Sequence, residues 1–115
     1  MSRSAKFYRA AFGWKVRLEV PVLVEFELPD GKGLGLYQRE SFALNTKQAP
    51  VEVKTGKITG TELYFGVDDL DAAIERLKTA GARVLSEKAA RDWGDVAAYF
   101  SDPDGNVLVV SHPAK

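Results

Sequence analysis

The sequence predicts an α+β fold in which one module of a helix and several strands occurs twice, because two segments repeat along the chain. Residues 99–110 (YFSDPDGNVLVV) repeat residues 25–36 (EFELPDGKGLGL) at a constant offset of 102 − 28 = 74. Both segments place Pro-Asp-Gly between apolar runs, which is typical of a β-hairpin turn. Residues 72–84 likewise repeat residues 4–16 at an offset of 81 − 13 = 68, and each is a helical pattern stopped by glycine. Such a duplication predicts a pseudo-twofold fold with a site between the two copies.

The first module is predicted over residues 1–40 and opens with a helix. Ser2 or Ser4 can cap this helix, which extends to about Phe12, and Gly13 supplies a left-handed stop. Three strands follow, over residues 14–20, 22–28 and 33–39.

Residues 41–60 show no sustained hydrophobic period and are the predicted linker to a second module over residues 61–115. The second module opens with a strand over residues 61–67. Asp68 and Asp69 then begin its helix, because carboxylates suit both the N-cap and the helix dipole. One apolar stripe marks the helix and consists of Leu70, Ala73, Ile74 and Leu77.

Gly81 ends this helix, and two hairpins complete the second module. Val84 and Leu85 belong to the strand after the helix, and residues 91–95 form the next turn. The repeated hairpin follows, and residues 111–115 are the predicted tail.

The duplication also predicts that the first module lacks its opening strand. In the second module the strand over residues 62–67 precedes the helix, and subtracting 68 places its counterpart before the first residue. A curved sheet without that strand has an edge of unpaired backbone donors and acceptors. We therefore expect a homodimer in which a second chain covers this edge.

Composition excludes several classes of partner and site. The 115 residues are 45% hydrophobic, which is enough for one domain with its own core. Sixteen basic and sixteen acidic residues cancel without long runs of either sign, which argues against nucleic acid as a partner. The chain has no cysteine, and no stretch approaches the apolar length of a membrane span. We expect a soluble cytoplasmic protein with no membrane partner.

Three motifs carry a resemblance to a known family. They are FYRAAFGWKV at residues 7–16, FGVDDLDAA at residues 65–73 and YFSDPDGN at residues 99–106. Together they resemble the vicinal oxygen chelate superfamily, which includes glyoxalase I, bleomycin-resistance proteins and extradiol dioxygenases. The resemblance implies paired βαβββ modules that form a curved half-barrel sheet, usually in homodimers, with a site inside the half-barrel.

The resemblance also implies where metal ligands would lie, and most of these positions cannot bind a metal here. Metal-dependent members take ligands from the first and last strands of each module. Those positions hold Gly35, Glu62 and Val109, and the fourth falls on the missing strand. A transition-metal site needs about three protein ligands, and the only histidine, His112, is expected to be an exposed tail residue. We therefore expect neither a metal nor another cofactor.

A ligand site is predicted on the concave side of the sheet. If Leu63 and Phe65 pack on the second helix, the strand alternation turns Glu62 and Tyr64 the other way. A carboxylate among aromatic and small residues suits a flat or cationic organic compound. The resemblance adds residues from both modules, so the predicted ligand-binding set is Gly35, Tyr37, Glu62, Tyr64, Trp93, Tyr99 and Val109, with Trp93 at the rim of the mouth.

Three functions remain open at this point. The first is a metal-free binding protein that sequesters an aromatic or cationic compound, as bleomycin-resistance proteins do. The second is a metal-dependent lyase or dioxygenase whose ligands come from a partner chain or from a missing N-terminal strand. The third is an interaction subunit with no ligand.

Overall fold

The computed structural model of the protein describes residues 1–114, which form seven strands and three helices. In chain order these are α1 (Ser2–Phe12), β1 (Lys15–Val20), β2 (Leu23–Glu27), β3 (Gly33–Tyr37), α2 (Arg39–Thr46), β4 (Glu62–Gly66), α3 (Leu70–Thr79), β5 (Arg83–Ala90), β6 (Asp95–Ser101) and β7 (Val107–Pro113). No helix within residues 1–114 is both long enough and apolar enough to cross a membrane.

The strands form two sheets, one from each half of the chain. The three-stranded sheet has the order β1-β2-β3, and the four-stranded sheet has the order β4-β7-β6-β5. Strand β4 pairs with β7 in parallel, whereas the other pairs are antiparallel. The α+β class and the repeated module are therefore confirmed. Strand β3 has the place in the first module that β7 has in the second, but it lies at the sheet edge with no strand like β4 beside it.

The helix that opens the chain is confirmed, but its predicted cap is wrong. Helix α1 ends at Phe12, and Gly13 follows in the left-handed conformation with φ of 66°. The N-cap position belongs to Met1, and no side chain caps the helix there. Ser2 and Ser4 lie inside the helix, and the Ser4 hydroxyl instead donates to the carboxylate of Asp104.

Two segments differ from the predicted boundaries. Residues 39–46, predicted as a strand end and linker, form helix α2, which has no buried side chain. Strand β7 extends to Pro113, so residues 111–113 of the predicted tail belong to the sheet. His112 is consequently a half-buried residue of β7 opposite Val96 rather than an exposed tail residue.

Helices α1 and α3 pack against each other and join the two sheets through a shared core. This core contains side chains of both helices and of both sheets, among them the fully buried Phe26 of β2 and Leu108 of β7. Phe65 of β4 contacts the ring of Phe12 at a centroid distance of 5.3 Å and that of Trp14 at 5.4 Å. The sides of the sheets that face away from these helices are called the outer faces below.

Asp102 ties the first module to the second. Its carboxylate accepts hydrogen bonds from the backbone amides of Asp104 (2.9 Å) and Asn106 (2.8 Å), and from the Asn106 side-chain amide (3.0 Å). It also accepts a hydrogen bond of 2.6 Å from the hydroxyl of Tyr8 on α1. Burial and the negative charge of Asp102 raise the pKa of Tyr8 far above its ordinary value, so the hydroxyl remains a neutral donor.

The two Pro-Asp-Gly turns have the same backbone hydrogen bonds, which supports the duplication. In the first turn Leu28 N donates to Lys32 O, and Gly31 N donates to Leu28 O. In the second turn Asp102 N donates to Asn106 O, and Gly105 N donates to Asp102 O. The turn glycines have φ of 86° at Gly31 and 85° at Gly105. The two turns differ in their side-chain contacts and in their surroundings.

Alanine at Gly105 should therefore destabilise the protein more than alanine at Gly31. Both substitutions place a side chain at positive φ, which costs about 1–2 kcal/mol. A Cβ at Gly31 would meet nothing within 4 Å, whereas one at Gly105 would lie 2.6 Å from Val53 Cγ1 and 3.0 Å from Lys57 O. We expect Gly105→Ala to lower the free energy of unfolding by about 1–3 kcal/mol more than Gly31→Ala, measured by urea denaturation. Equal losses of unfolding free energy in the two variants would show that residues 53–57 can move away from the new Cβ without an energetic penalty.

Candidate functional site

The outer face of the four-stranded sheet brings together most of the predicted ligand-binding residues. On β4, Leu63 and Phe65 pack against the core, so Glu62 and Tyr64 point to the outer face. The register pairs Glu62 with Val107 and Tyr64 with Val109, and β6 places Tyr99 on the other side of Val109. Glu62, Tyr64 and Tyr99 therefore stand on one face, with Val109 between the two tyrosines.

This face has an apolar floor and a depression beside it. Ala97, Val107 and Val109 are buried and form a small cluster of their own, against which Leu85 and Tyr99 pack. A depression of about 420 Å³ lies here, lined by residues 58–62, Leu85, Ser86, Tyr99 and Val107. The Glu62 carboxylate and the Tyr99 ring therefore border the same concave space, and no cation pairs with Glu62 within residues 1–114.

Tyr64 is held in place by a short hydrogen-bond chain. Its hydroxyl donates to the Asp95 carboxylate at 2.6 Å and accepts from the Trp93 indole nitrogen at 2.8 Å. Trp93 remains 57% exposed, at the turn between β5 and β6. The indole is thus fixed at the border of the outer face, where a stacked ligand would change its fluorescence.

Arg91 also lies on this face, although it is not part of the predicted ligand-binding set. Its Nη2 donates to the Ser86 hydroxyl at 3.1 Å, to the Glu87 carbonyl at 2.9 Å and to the Ala97 carbonyl at 3.0 Å. The guanidinium carbon lies 4.9 Å from the centroid of the Tyr99 ring, in a cation–π contact. The sequence shows this arginine only as part of a turn, so no local signal indicated its contact with Tyr99.

Two opposite charges act on the Tyr99 hydroxyl. Desolvation raises the pKa of Tyr99, and the negative charge of Glu62 raises it further, whereas the positive charge of Arg91 opposes the shift. The net direction is upward, so the phenol remains protonated at neutral pH and can donate a hydrogen bond. Glu62 and Arg91 are therefore both close enough to Tyr99 to influence its titration.

Gly35 and Tyr37 lie elsewhere in the chain. They belong to the outer face of the three-stranded sheet and line a separate cavity of about 380 Å³, together with Phe42, Asp104 and other residues. The Tyr37 ring meets that of Phe42 edge-on, with a centroid distance of 6.3 Å. A single chain does not bring these two predicted residues to Glu62.

The residues present do not fit the metal site that the family resemblance implies. Within residues 1–114, no three histidine, aspartate or glutamate side chains are grouped so as to hold a metal ion. Glu62 is the one acidic residue at the ligand positions, since Gly35 and Val109 supply no donor side chain. His112 is on the opposite side of the sheet from Glu62, because Ser111 takes the outer-face position beside Ala97.

Comparisons with known proteins agree with this architecture. A model of the glyoxalase-like domain family matches residues 1–111. The chain is 27% identical over 122 residues to a glyoxylase-like domain-containing protein of Didymella fabae, with 100% of this chain and 88% of that protein covered.

Solved structures share the fold over nearly the whole chain. One is a glyoxalase-related enzyme from Fulvimarina pelagi, with a TM-score of 0.83, 23% identity and coverage of 97% of this chain and 79% of that chain. Another is a glyoxalase/bleomycin resistance protein/dioxygenase from Nocardioides, with a TM-score of 0.78, 24% identity and coverage of 99% and 76%. At these identities the likeness concerns the fold.

Proposed function

The chain belongs to the glyoxalase-like domain family, and we propose that it is a metal-free protein that sequesters an aromatic or cationic small molecule. The observation that carries this proposal is the depression of about 420 Å³ that Glu62, Tyr99 and Val107 line together, beside the apolar cluster of Ala97, Val107 and Val109. Ligand sites commonly combine such an apolar surface with a few fixed polar groups. The proposed ligand-binding residues are Glu62, Tyr64, Trp93, Tyr99 and Val109.

The cationic end of the ligand would be held by Glu62 rather than by Tyr99. Arg91 already occupies a cation–π position over the Tyr99 ring, so that ring is less available to a ligand cation. Glu62 has no cation partner within residues 1–114, and a positively charged group can enter there without displacing an ion pair. The planar part of the ligand would lie against the Tyr99 ring and Val107, which line the depression, while the fully buried Val109 supports them from below.

We further propose that the protein is a homodimer. Strand β3 is an unpaired edge within the described residues, and the outer face of its sheet is partly apolar. On this face the register places Leu18 opposite Glu25, Val20 opposite Leu23, and Leu23 opposite Tyr37. Leu18, Val20 and Tyr37 are 44%, 41% and 37% exposed. A second copy could cover these residues and carry its own Gly35 and Tyr37 toward the depression beside Glu62.

A metal-dependent lyase or dioxygenase completed by the partner chain is the second candidate. Glu62 favours it, since this carboxylate is at a ligand position of the family and lies on an outer face that a second copy can reach. Two further donors would then have to come from the partner, because Gly35 and Val109 supply none. Metal content therefore separates this candidate from the metal-free binding protein.

A planar cation should bind more tightly than a planar anion of the same size. We expect 1-methylnicotinamide, a cation methylated at the ring nitrogen, to bind about tenfold more tightly than nicotinate. The reason is that a charge-assisted contact with Glu62 contributes about 1.5 kcal/mol. Titration followed by Trp93 fluorescence and calorimetry measures both affinities. Glu62→Gln should abolish the preference, whereas Glu75→Gln, on the exposed side of α3, should retain it.

Two outcomes would contradict the proposed function. The first is equal affinity for the cation and the anion, or no binding of either. The second is about one transition-metal ion per chain in elemental analysis after dialysis without chelator, lost in Glu62→Gln. That second result would support the metal-dependent lyase or dioxygenase.

A further inference from the structure

Arg91 presents a fixed positive charge on the outer face of the four-stranded sheet. Its Nη2 is held by three acceptors, and the guanidinium is stacked on Tyr99. The Nε atom is buried without a hydrogen-bond partner. Within residues 1–114 no acceptor is bonded to Nη1, and no carboxylate lies within ion-pair distance of this side chain. The guanidinium is therefore oriented by the fold and retains one donor nitrogen, Nη1, without an acceptor among residues 1–114.

Glu62 and Arg91 are opposite charges that do not pair with each other. Each acts on the Tyr99 hydroxyl, Glu62 as a negative and Arg91 as a positive neighbour, yet the structure contains no ion pair between them. An ion pair would neutralise both groups, whereas this arrangement leaves one charge of each sign beside the same aromatic ring. The apolar floor formed by Ala97, Val107 and Val109 lies beneath.

We propose that the ligand is a planar zwitterion, with a cationic group at Glu62 and a carboxylate at Nη1 of Arg91. This inference rests on the proposed binding function and specifies its ligand class. A simple cation satisfies Glu62 and leaves Arg91 with its three acceptors and the Tyr99 ring, whereas a simple anion leaves Glu62 with no cation partner. A compound that carries both charges satisfies both side chains at once.

The fixed position of Arg91 makes such recognition efficient. A free arginine side chain loses rotamer freedom when it binds a carboxylate, and that loss weakens the contact. Here the three acceptors of Nη2 and the stack on Tyr99 already restrict the side chain. Nη1 would donate to the ligand carboxylate in one charge-assisted hydrogen bond.

Three compounds with one common ring test the inference. 1-Methylnicotinate is the zwitterion, 1-methylnicotinamide is the cation and nicotinate is the anion, and both methyl groups are on the ring nitrogen. By calorimetry, the unmodified protein should bind the zwitterion about tenfold more tightly than the cation, the gain expected of one charge-assisted hydrogen bond. Arg91→Gln should abolish this difference, whereas Arg76→Gln, on the exposed side of α3, should retain it.

The outcomes separate this inference from the proposed function. Equal binding of zwitterion and cation by the unmodified protein, both tighter than the anion, would overturn the zwitterion alone. A tenfold difference that survives in Arg91→Gln would also overturn it, because Arg91 would not be the carboxylate partner. Absence of any binding would overturn both proposals. The comparison in the unmodified protein requires no variant, so it remains decisive if Arg91→Gln does not fold.

Discussion

Replacing Asp102 with alanine is expected to lower the free energy of unfolding by about 3–5 kcal/mol. The substitution removes the acceptor of four hydrogen bonds, two from backbone amides of the turn, one from the Asn106 side chain and one from Tyr8. The Tyr8 hydroxyl, on a residue only 2% exposed, would be left without its acceptor. Urea denaturation followed by circular dichroism measures the loss, provided that the m-value is unchanged.

The first hairpin supplies the matched control for this prediction. Asp30 is exposed in the equivalent turn, and its carboxylate accepts one hydrogen bond, from the Lys32 amide at 3.0 Å. Asp30→Ala should therefore change the free energy of unfolding by no more than about 0.5 kcal/mol. The first turn has Leu28 where the second has Asp102 and still makes the same backbone bonds. A loss as small in Asp102→Ala as in Asp30→Ala would show that those bonds suffice in both turns.

The repeated module could be predicted from sequence because its signals are local. Pro-Asp-Gly sets the backbone angles of each turn, and Gly13 takes the left-handed conformation that ends α1. The N-cap of α3 is a local signal of the same kind, and the structure confirms it: Asp69 accepts a hydrogen bond of 3.0 Å from the Ala72 amide. The three motifs at residues 7–16, 65–73 and 99–106 coincide with these helices and turns. The family match over residues 1–111 confirms the resemblance that they carry.

Helix α2 could not be predicted in the same way. It buries none of its side chains, so its sequence lacks the apolar stripe by which amphipathic helices are recognised. The helix is bounded by Lys47, a non-glycine residue at φ of 60°, which is also an uncommon stop signal. Elements that contribute little to a core leave a correspondingly weak pattern in the sequence.

The position of Arg91 depends on the register of β5, which the sequence does not specify. The pairing of β5 with β6 shifts between Val84 and Ser86 and again between Ser86 and Ala89. Such irregularities twist a strand and redirect nearby side chains. Arg91, in the turn after β5, donates to Ser86 within that strand and to Ala97 on β6. The position of the Arg91 charge in the candidate site therefore depends on tertiary structure and not on a local sequence pattern.

The division of the predicted site between two sheets has a physical cause as well. Period-two alternation placed Glu62 and Tyr64 on one face, the family resemblance added Tyr99, and the structure has all three there. Alternation within strands says nothing about how the two modules meet. The modules meet through α1 and α3, so Gly35 and Tyr37 lie on the other sheet, and a second copy is needed to unite the predicted set.

Charged residues introduced on the outer face of the three-stranded sheet are therefore expected to separate the proposed homodimer. Light scattering at micromolar concentration should give about twice the chain mass of 12.6 kDa for the unmodified protein. Replacing Leu18 and Val20 together with glutamate should raise the dimer dissociation constant at least about hundredfold, because unpaired charges in an interface cost several kcal/mol. The scattering mass should then fall to that of one chain.

Val84→Glu is the matched control, since Val84 is 37% exposed but lies on the helix side of the four-stranded sheet, opposite Phe100. It should retain the dimer mass, because it changes an exposed apolar side chain outside the proposed interface. A monomeric unmodified protein would contradict the homodimer, and so would a double variant that remains dimeric. If the dimer also brings Tyr37 to the depression beside Glu62, the double variant should bind 1-methylnicotinamide more weakly as its scattering mass falls. Val84→Glu should retain both the affinity and the dimer mass.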